Sequence, residues 1–313
     1  MLPMLATATA TRLQVGIGVA SDSDPLNATL RAAEIARAGL EGATPHLALV
    51  VTAGVARGDL AAAVRSTLGP VGVAGGATAA LLADSGAVAV GALVICLANA
   101  DGAASGVAAA SGRDLVDAGS RTARLVLAGW PFRSRYPRGL GFAFAAPGFG
   151  EAGAAFLPSW RMFMGPKLRT VCSVMSLPTL YGGSSTALTS VGCLEASYAT
   201  GLGFTEGVSE DGELAEPHAL IQGALEATVT SVKRLQRGTP RLVLVIETRA
   251  RHRALGKAAP EEWEALRSQI GEDTPCVGWV CDQVAAYGRG VRPVDARGSL
   301  VVVTVGDPTP RET

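Results

Sequence analysis

Lysine is nearly missing from this chain: only Lys167, Lys233 and Lys257 occur among 313 residues. Histidine is as scarce, limited to His46, His218 and His252, and aromatic residues make up 5%. Acidic and basic side chains number 27 each, so the formal net charge is zero. Without a basic excess, a nucleic-acid or acidic-membrane partner held by bulk electrostatics is excluded. The five cysteines, Cys96, Cys172, Cys193, Cys276 and Cys281, are odd in number and form no C-x-x-C pair. That pattern predicts free, buried thiols in a reducing compartment rather than a disulfide framework. No two histidines show metal-ligand spacing. Long apolar runs are missing too. The longest, about residues 87–98, falls short of the roughly 20 residues a spanning helix needs. The opening MLPMLATATATRLQ lacks the charged start and long apolar run of a secretory leader. Together these absences predict a cytoplasmic protein with no membrane or nucleic-acid partner, no metal and no cofactor.

What is present is core-forming. Hydrophobic residues reach 48% and charged residues only 17%, enough for a sizeable core. Two motifs recur three times in the same order. The first is a proline-led apolar run: TPHLALVV from Thr44, PRGLGFAF from Pro137, and TPRLVLVI from Thr239. Proline tolerates the first position of a strand, so each reads as a buried strand. The second is a short strand ending in small or polar residues: Pro70 through Gly75-Gly76-Ala77-Thr78, Pro178 through Gly182-Gly183-Ser184-Ser185, and Pro275 through Gly278 to Cys281-Asp282. Helical sequence separates the motifs, most clearly at Pro260-Glu261-Glu262-Trp263. Here proline and acids open a helix whose Trp263, Leu266 and Ile270 share a face and which Gly271 stops. Asp59 to Leu68 fills the same slot in the first copy, and residues 151–177 fill it in the second, where Pro158 and Pro166 forbid one continuous helix. Longer apolar strands close the copies at 87–98, near 192–204, and at 299–305. Asp24-Pro25 begins a connecting helix carrying Leu26, Leu30, Ala33 and Leu40 on one side, and another runs over 216–236 with Leu220, Ala224, Ala227 and Val232 inward. The fold predicted is α/β, with mixed sheets built from three diverged strand–helix–strand repeats in a pseudo-symmetric arrangement. An N-terminal part covers 13–205, a connecting loop 206–213, and a C-terminal part 214–307.

Several of these segments resemble the FIST-domain proteins, predicted sensory modules. The likeness rests on Gly75-Gly76-Ala77 and its following strand. It rests also on the run from Leu242 to Thr248, Arg251, Leu255-Gly256, Pro260-Glu261-Glu262, Thr274 to Gly278, and Leu300 to Val303. The resemblance implies an intracellular receiver of a small ligand, such as an amino acid, that signals to a protein partner; one branch of the family binds haem. Thr248 stands where the family has a cysteine, Cys281-Asp282 where it has Gly-Glu, and Ala296-Arg297 where it has His-Asn, so the C-terminal polar cluster is partly rewritten. Arg251 matches the family's arginine.

Candidate ligand-binding residues follow from position. Gly76, Thr78, Gly182, Gly183, Ser184 and Ser185 lie just past strand ends, where open α/β sheets form binding crevices. Their backbone N–H groups and hydroxyls suit a carboxylate or phosphate, or the glycines simply make tight turns. Arg251, at the end of a predicted buried strand, either grips an anion bidentately or forms a structural ion pair with Glu247 or Asp282. Asp282 either accepts from an amine or is a turn acid. His218 offers a single axial haem ligand or a solvated helix start. No Walker loop or G-x-S-x-G elbow occurs. A hydrolase of small amides using Ser184, Ser185 or Cys281 is the alternative, although no histidine is placed by sequence to activate a thiol. The segment 130–138 mixes aromatics and arginines, reading as a connecting loop or as a protein–protein surface, including one between copies in a homo-oligomer.

Overall fold

Three stretches of chain repeat one order of elements in a computed structural model, which describes residues 13–54, 59–84, 86–98, 105–112, 114–128, 140–148, 155–165, 168–182, 190–195, 199–209, 211–235, 238–288 and 298–307. The first unit comprises β1 (Gln14–Ala20), α1 (Pro25–Ala38), β2 (Leu47–Ala53), α2 (Leu60–Leu68), β3 (Gly72–Thr78), β4 (Ala80–Ala83), β5 (Gly86–Val88) and β6 (Gly91–Ala98). The second comprises β7 (Ser105–Ala110), α3 (Leu115–Ala128), β8 (Leu140–Ala145), α4 (Leu157–Met164), β9 (Arg169–Val174), β10 (Leu180–Tyr181) and β11 (Ser190–Glu195). The third comprises β12 (Ala199–Thr205), α5 (Pro217–Arg234), β13 (Thr239–Thr248), α6 (Arg249–Leu255), α7 (Ala259–Ile270), β14 (Cys276–Cys281), β15 (Gln283–Tyr287) and β16 (Leu300–Asp307).

Each unit wires its sheet identically. The first strand pairs antiparallel with the last, the last antiparallel with the second, and the second parallel with the third. The orders are therefore β1-β6-β2-β3, β7-β11-β8-β9 and β12-β16-β13-β14. The short strand after each third strand then leaves for another unit's sheet. β4 joins β14, β10 joins β3, and β15 joins β9, all antiparallel. The exchange is cyclic, so no unit keeps that strand for itself.

The proline-led runs become the buried parallel strands. β2 and β13 are apolar nearly throughout because both their faces are covered. Inner faces of all three sheets meet in one cluster that includes Leu47, Leu49, Leu140, Phe142, Leu244 and Ile246. Trp279 fills its middle, 5.9 Å from the Phe144 ring and with Nε1 donating to Ser173 Oγ at 3.3 Å. Helices cover the outer faces. Among the described residues no helix is long and apolar enough to cross a membrane.

Three element expectations are corrected. The run over 87–98 is two strands in different sheets: β5 extends β4, whereas β6 sits between β1 and β2. The run over 192–204 likewise divides into β11 and β12, and β12 pairs with β16. The third unit thus begins ahead of the 206–213 loop, which joins its first strand to its first helix. In α1, Asp24 caps as predicted, its carboxylate accepting from the Leu26 N–H at 2.9 Å, but Leu26 is 40% exposed. Ala33 and Leu40 are buried as expected, and the rest of the buried face is Ala28, Thr29, Ala32 and Ala36. Gly16 and Gly18 of β1 explain why. A Cβ on either would stand 1.9 Å from the Ala36 or Ala32 carbonyl oxygen, so helix and strand approach too closely for leucine. Gly201 and Gly203 of β12 do the same beneath α5, at 1.8 and 1.7 Å from the Ser231 and Ala227 carbonyl oxygens.

Candidate functional site

The central core leaves the outer ends of the parallel strand pairs as the places where polar groups gather. β13 ends on Glu247-Thr248. Strand alternation turns Leu244 and Ile246 towards the central core and Val243 and Val245 towards the helices, so Glu247 follows the helix side. Thr248 stops the strand by capping α6, its Oγ1 accepting from the Arg251 N–H at 3.3 Å. The turn that follows brings Arg251 and His252 back over Glu247.

Arg251 has no exposed surface. Its Nε donates to Glu262 Oε1 at 3.1 Å, one terminal nitrogen donates to the Gly298 carbonyl at 3.1 Å, and the other to the Leu220 carbonyl at 2.5 Å and to Glu262. Glu247 Oε2 lies 3.8 Å from Nε. Every donor face is thus engaged within the protein, and of the two readings open in the sequence the structural ion pair is the one observed. Glu262 was expected as a first-turn acid facing the helix end; instead it turns inward. Burial pushes its carboxyl up to about 7, against the pull of Arg251 and with a further push from the charge of Glu247.

His252 sits on the open side of this group. Its Nδ1 lies 2.7 Å from Glu247 Oε1, and its side chain is 26% exposed while that of Glu247 is 2% exposed. The hydrogen bond to Glu247 raises the imidazole pKa above its ordinary value despite partial burial. Arg249, three residues earlier on α6, forms an ion pair with Asp282 at 3.1 Å, both half-buried. Asp282 lies where the chain leaves β14 for β15, its N–H bonded to the Val174 carbonyl at 2.9 Å. The neighbourhood therefore layers charge: Arg251 and Glu262 sealed beneath, Glu247 between, and His252, Arg249 and Asp282 reaching solvent. Glu247, His252 and Glu262 were not among the residues singled out as ligand contacts. The signal for them was the proximity in sequence of Glu247 to the basic run at 251–253.

The other predicted residues lie elsewhere. Gly76 is enclosed: an added Cβ would meet Leu180 Cδ2 at 2.8 Å and Met175 Cγ at 2.9 Å. It is a packing position beneath the β3–β10 pairing, not an open loop. Thr78 is fully buried and its hydroxyl donates to the Val280 carbonyl, fastening β3 where β4 crosses to β14. Neither is open to a ligand, because the exchanged strands cover both. Gly182 stands half-buried at the end of β10. Gly183, Ser184 and Ser185 lie outside the described residues, as do the 130–138 segment and Arg297. Cys281 is fully buried, its thiol pushed up by burial and within 3.1 Å of the Gln283 carbonyl. A thiol held protonated there does not act as a nucleophile. Cys96, Cys172 and Cys276 are buried, as expected, and none of them forms a disulfide. His46 opens the approach to β2, and His218 is exposed in the first turn of α5. No group of three metal-ligating side chains converges among the described residues.

A groove of about 450 Å³ lies between β1 and β14, lined by Val15, Ile17, Val19, Ala83, Asp84 and Val277 among others. Asp84 accepts from Trp263 Nε1 at 3.2 Å and lies 3.5 Å from Arg267. Without converging polar groups of its own, this groove has little to orient a ligand.

No family model and no curated protein matches the chain. Among solved structures, it is similar to cyanuric acid hydrolase from A. caulinodans, at 11% identity and a TM-score of 0.47, over 94% of this chain and 99% of that one. It is also similar to T. maritima PurL complexed with ADP, at 11% identity and a TM-score of 0.31, over 96% of this chain and 73% of that one. Likenesses this distant carry neither activity nor site residues across to this chain.

Proposed function

We propose that the protein is a small-molecule receiver of the kind the FIST resemblance implies, and that it binds a zwitterion such as an amino acid beside the ends of β13 and β14. The observation supporting this is the half-buried Arg249–Asp282 pair, which joins the residues that directly follow the ends of β13 and β14. A zwitterion answers both charges of such a pair, its carboxylate on the guanidinium and its ammonium on Asp282. Crevices outside the carboxyl ends of parallel strands are where α/β sheets bind ligands in general.

Titration calorimetry against the common amino acids and small dicarboxylates tests the reading. One or more amino acids should bind, and a hundredfold excess over Kd should add about 2.7 kcal/mol to stability. Arg249→Ala and Asp282→Asn should each remove that binding while leaving the unliganded melting temperature within about a degree, since a surface ion pair contributes little. No heat with any amino acid, or binding indifferent to both substitutions, would refute the proposed site.

A further inference from the structure

We propose that His252, oriented by Glu247, is a general base whose Nε2 removes a proton from a water attacking an acyl carbon, making this site a hydrolytic one for small carboxylate-bearing amides. The inference rests on the binding site proposed above for the position of the substrate, but the dyad's own chemistry does not depend on which molecule binds.

Three geometric facts carry it. Glu247 is almost completely buried, and its Oε1 accepts from the His252 Nδ1 side of the ring at 2.7 Å. That contact fixes the neutral imidazole as the Nδ1–H tautomer and leaves the Nε2 lone pair free. His252 is open enough to meet solvent, and no described residue takes Nε2. Arg251 closes the dyad from below: it is fully buried, its Nε lies 3.8 Å from Glu247 Oε2, and it is itself anchored by the buried Glu262. A merely structural histidine needs no such backing. Arg249, on the same face of α6 one turn earlier, is placed to hold the substrate carboxylate.

The step balances without a further reagent. The water O–H bond breaks, its proton passing to Nε2, and the water oxygen bonds to the acyl carbon. The C–N bond then breaks, and the imidazolium returns the proton to the departing nitrogen. Glu247 stabilises the imidazolium between the two events and takes no proton. Charged groups acting on the ring are Glu247 from β13, through its hydrogen bond and its charge, and Glu262 from α7 through its charge. The groups nearest the ring are acidic, which is why the imidazole titrates above its ordinary value.

Two measurements on the whole chain test this. Long-range proton–nitrogen NMR of the wild-type protein should show His252 as the Nδ1–H tautomer once deprotonated, with a pKa above 6.5. An Nε2–H tautomer would overturn the proposal without any substitution that endangers folding. Hydrolysis of 4-nitrophenyl acetate, a substrate that asks only for a competent base, should rise with pH through the same midpoint. His252→Gln should lower that rate at least about tenfold. His218→Gln, removing an exposed histidine away from the site, should leave it unchanged. Glu247→Gln should shift the midpoint to lower pH and reduce the plateau. A rate equally sensitive to His218→Gln and to His252→Gln would mean ordinary surface imidazole, and would overturn it. Amino-acid binding lost with the dyad intact defeats only the binding site; binding intact with the wrong tautomer defeats only the base.

Discussion

Arg251 joins four parts of the third unit through one guanidinium: α7 through Glu262, α5 through the Leu220 carbonyl, β13 through Glu247, and the turn before β16 through Gly298. Replacing it with methionine keeps the stem and removes the charge, leaving Glu247 and Glu262 facing each other in a dry setting. Breaking a buried ion pair from one side costs about 3–5 kcal/mol. Urea denaturation of Arg251→Met should therefore show a stability loss of that order, whereas Arg253→Met, on the exposed side of α6, should lose less than about 0.5 kcal/mol. The sequence singled out Arg251 correctly as a residue at a strand end but gave no means of choosing between a ligand and an internal partner. Glu262 lies eleven positions on, in the first turn of a helix, where an acid ordinarily serves the helix dipole. Only the folding of α7 back onto α6 turns it into a partner. His252 was equally hidden, as the middle of a basic run, until the strand ended at Thr248 and the helix began.

The pairing of α6 with α7 responds to protons. Glu262, ordinarily near 4.5, is raised to about 7 by burial first of all. A carboxyl raised on folding binds its proton more tightly in the native state. Its contribution to stability is therefore full below about 4.5 and is lost as pH climbs through about 7. His252, raised from 6.5 chiefly by the hydrogen bond to Glu247, contributes in the same sense, present below 6.5 and lost above its native pKa. Both groups predict a protein more stable at about pH 5 than at about pH 8 so far as this cluster is concerned. Calorimetric melting of wild type and Glu262→Gln should show the slope in the first and a flatter profile in the second; equal slopes would contradict it. At this scale the sequence was readable where local chemistry decides. Asp24 and Asp59 cap α1 and α2, Gly271 ends α7, and Pro158 sits in the first turn of α4. It misled where a partner decides. Leu26 looked like a core residue of α1 but is 40% exposed, because the close contact with Gly16 and Gly18 on a different element falls on Ala32, Ala36 and Leu40.

For the molecule as a whole, the threefold repeat was legible because buried parallel strands need continuous apolar runs, and such runs persist while surfaces diverge. The exchanged strands were not. β10 is only two residues long and β4 four, too short for alternation to declare them, and their partners lie in another unit. The exchange makes a clear prediction. Ala285 belongs to the third unit by sequence but pairs with Cys172 in the second unit's sheet. Ala285→Asp places a carboxylate at a fully buried position on β15, at a cost of several kcal/mol. Hydrogen exchange should then show protection lost in β9 as well as in β15. Loss confined to the third unit would argue that the sheets are energetically separate.

The same exchange sets a clock during synthesis. Ala80 pairs with Val280, so a strand made early waits for one made 200 positions later. At roughly 5–20 residues per second, that wait is on the order of 10–40 s. Throughout it β4 has only its hairpin partner β5, and its other edge stays open for β14. The joining of the first unit's strand to the third unit's sheet is thus set by the synthesis of β14, and the open edge of β4 is the surface exposed in the meantime.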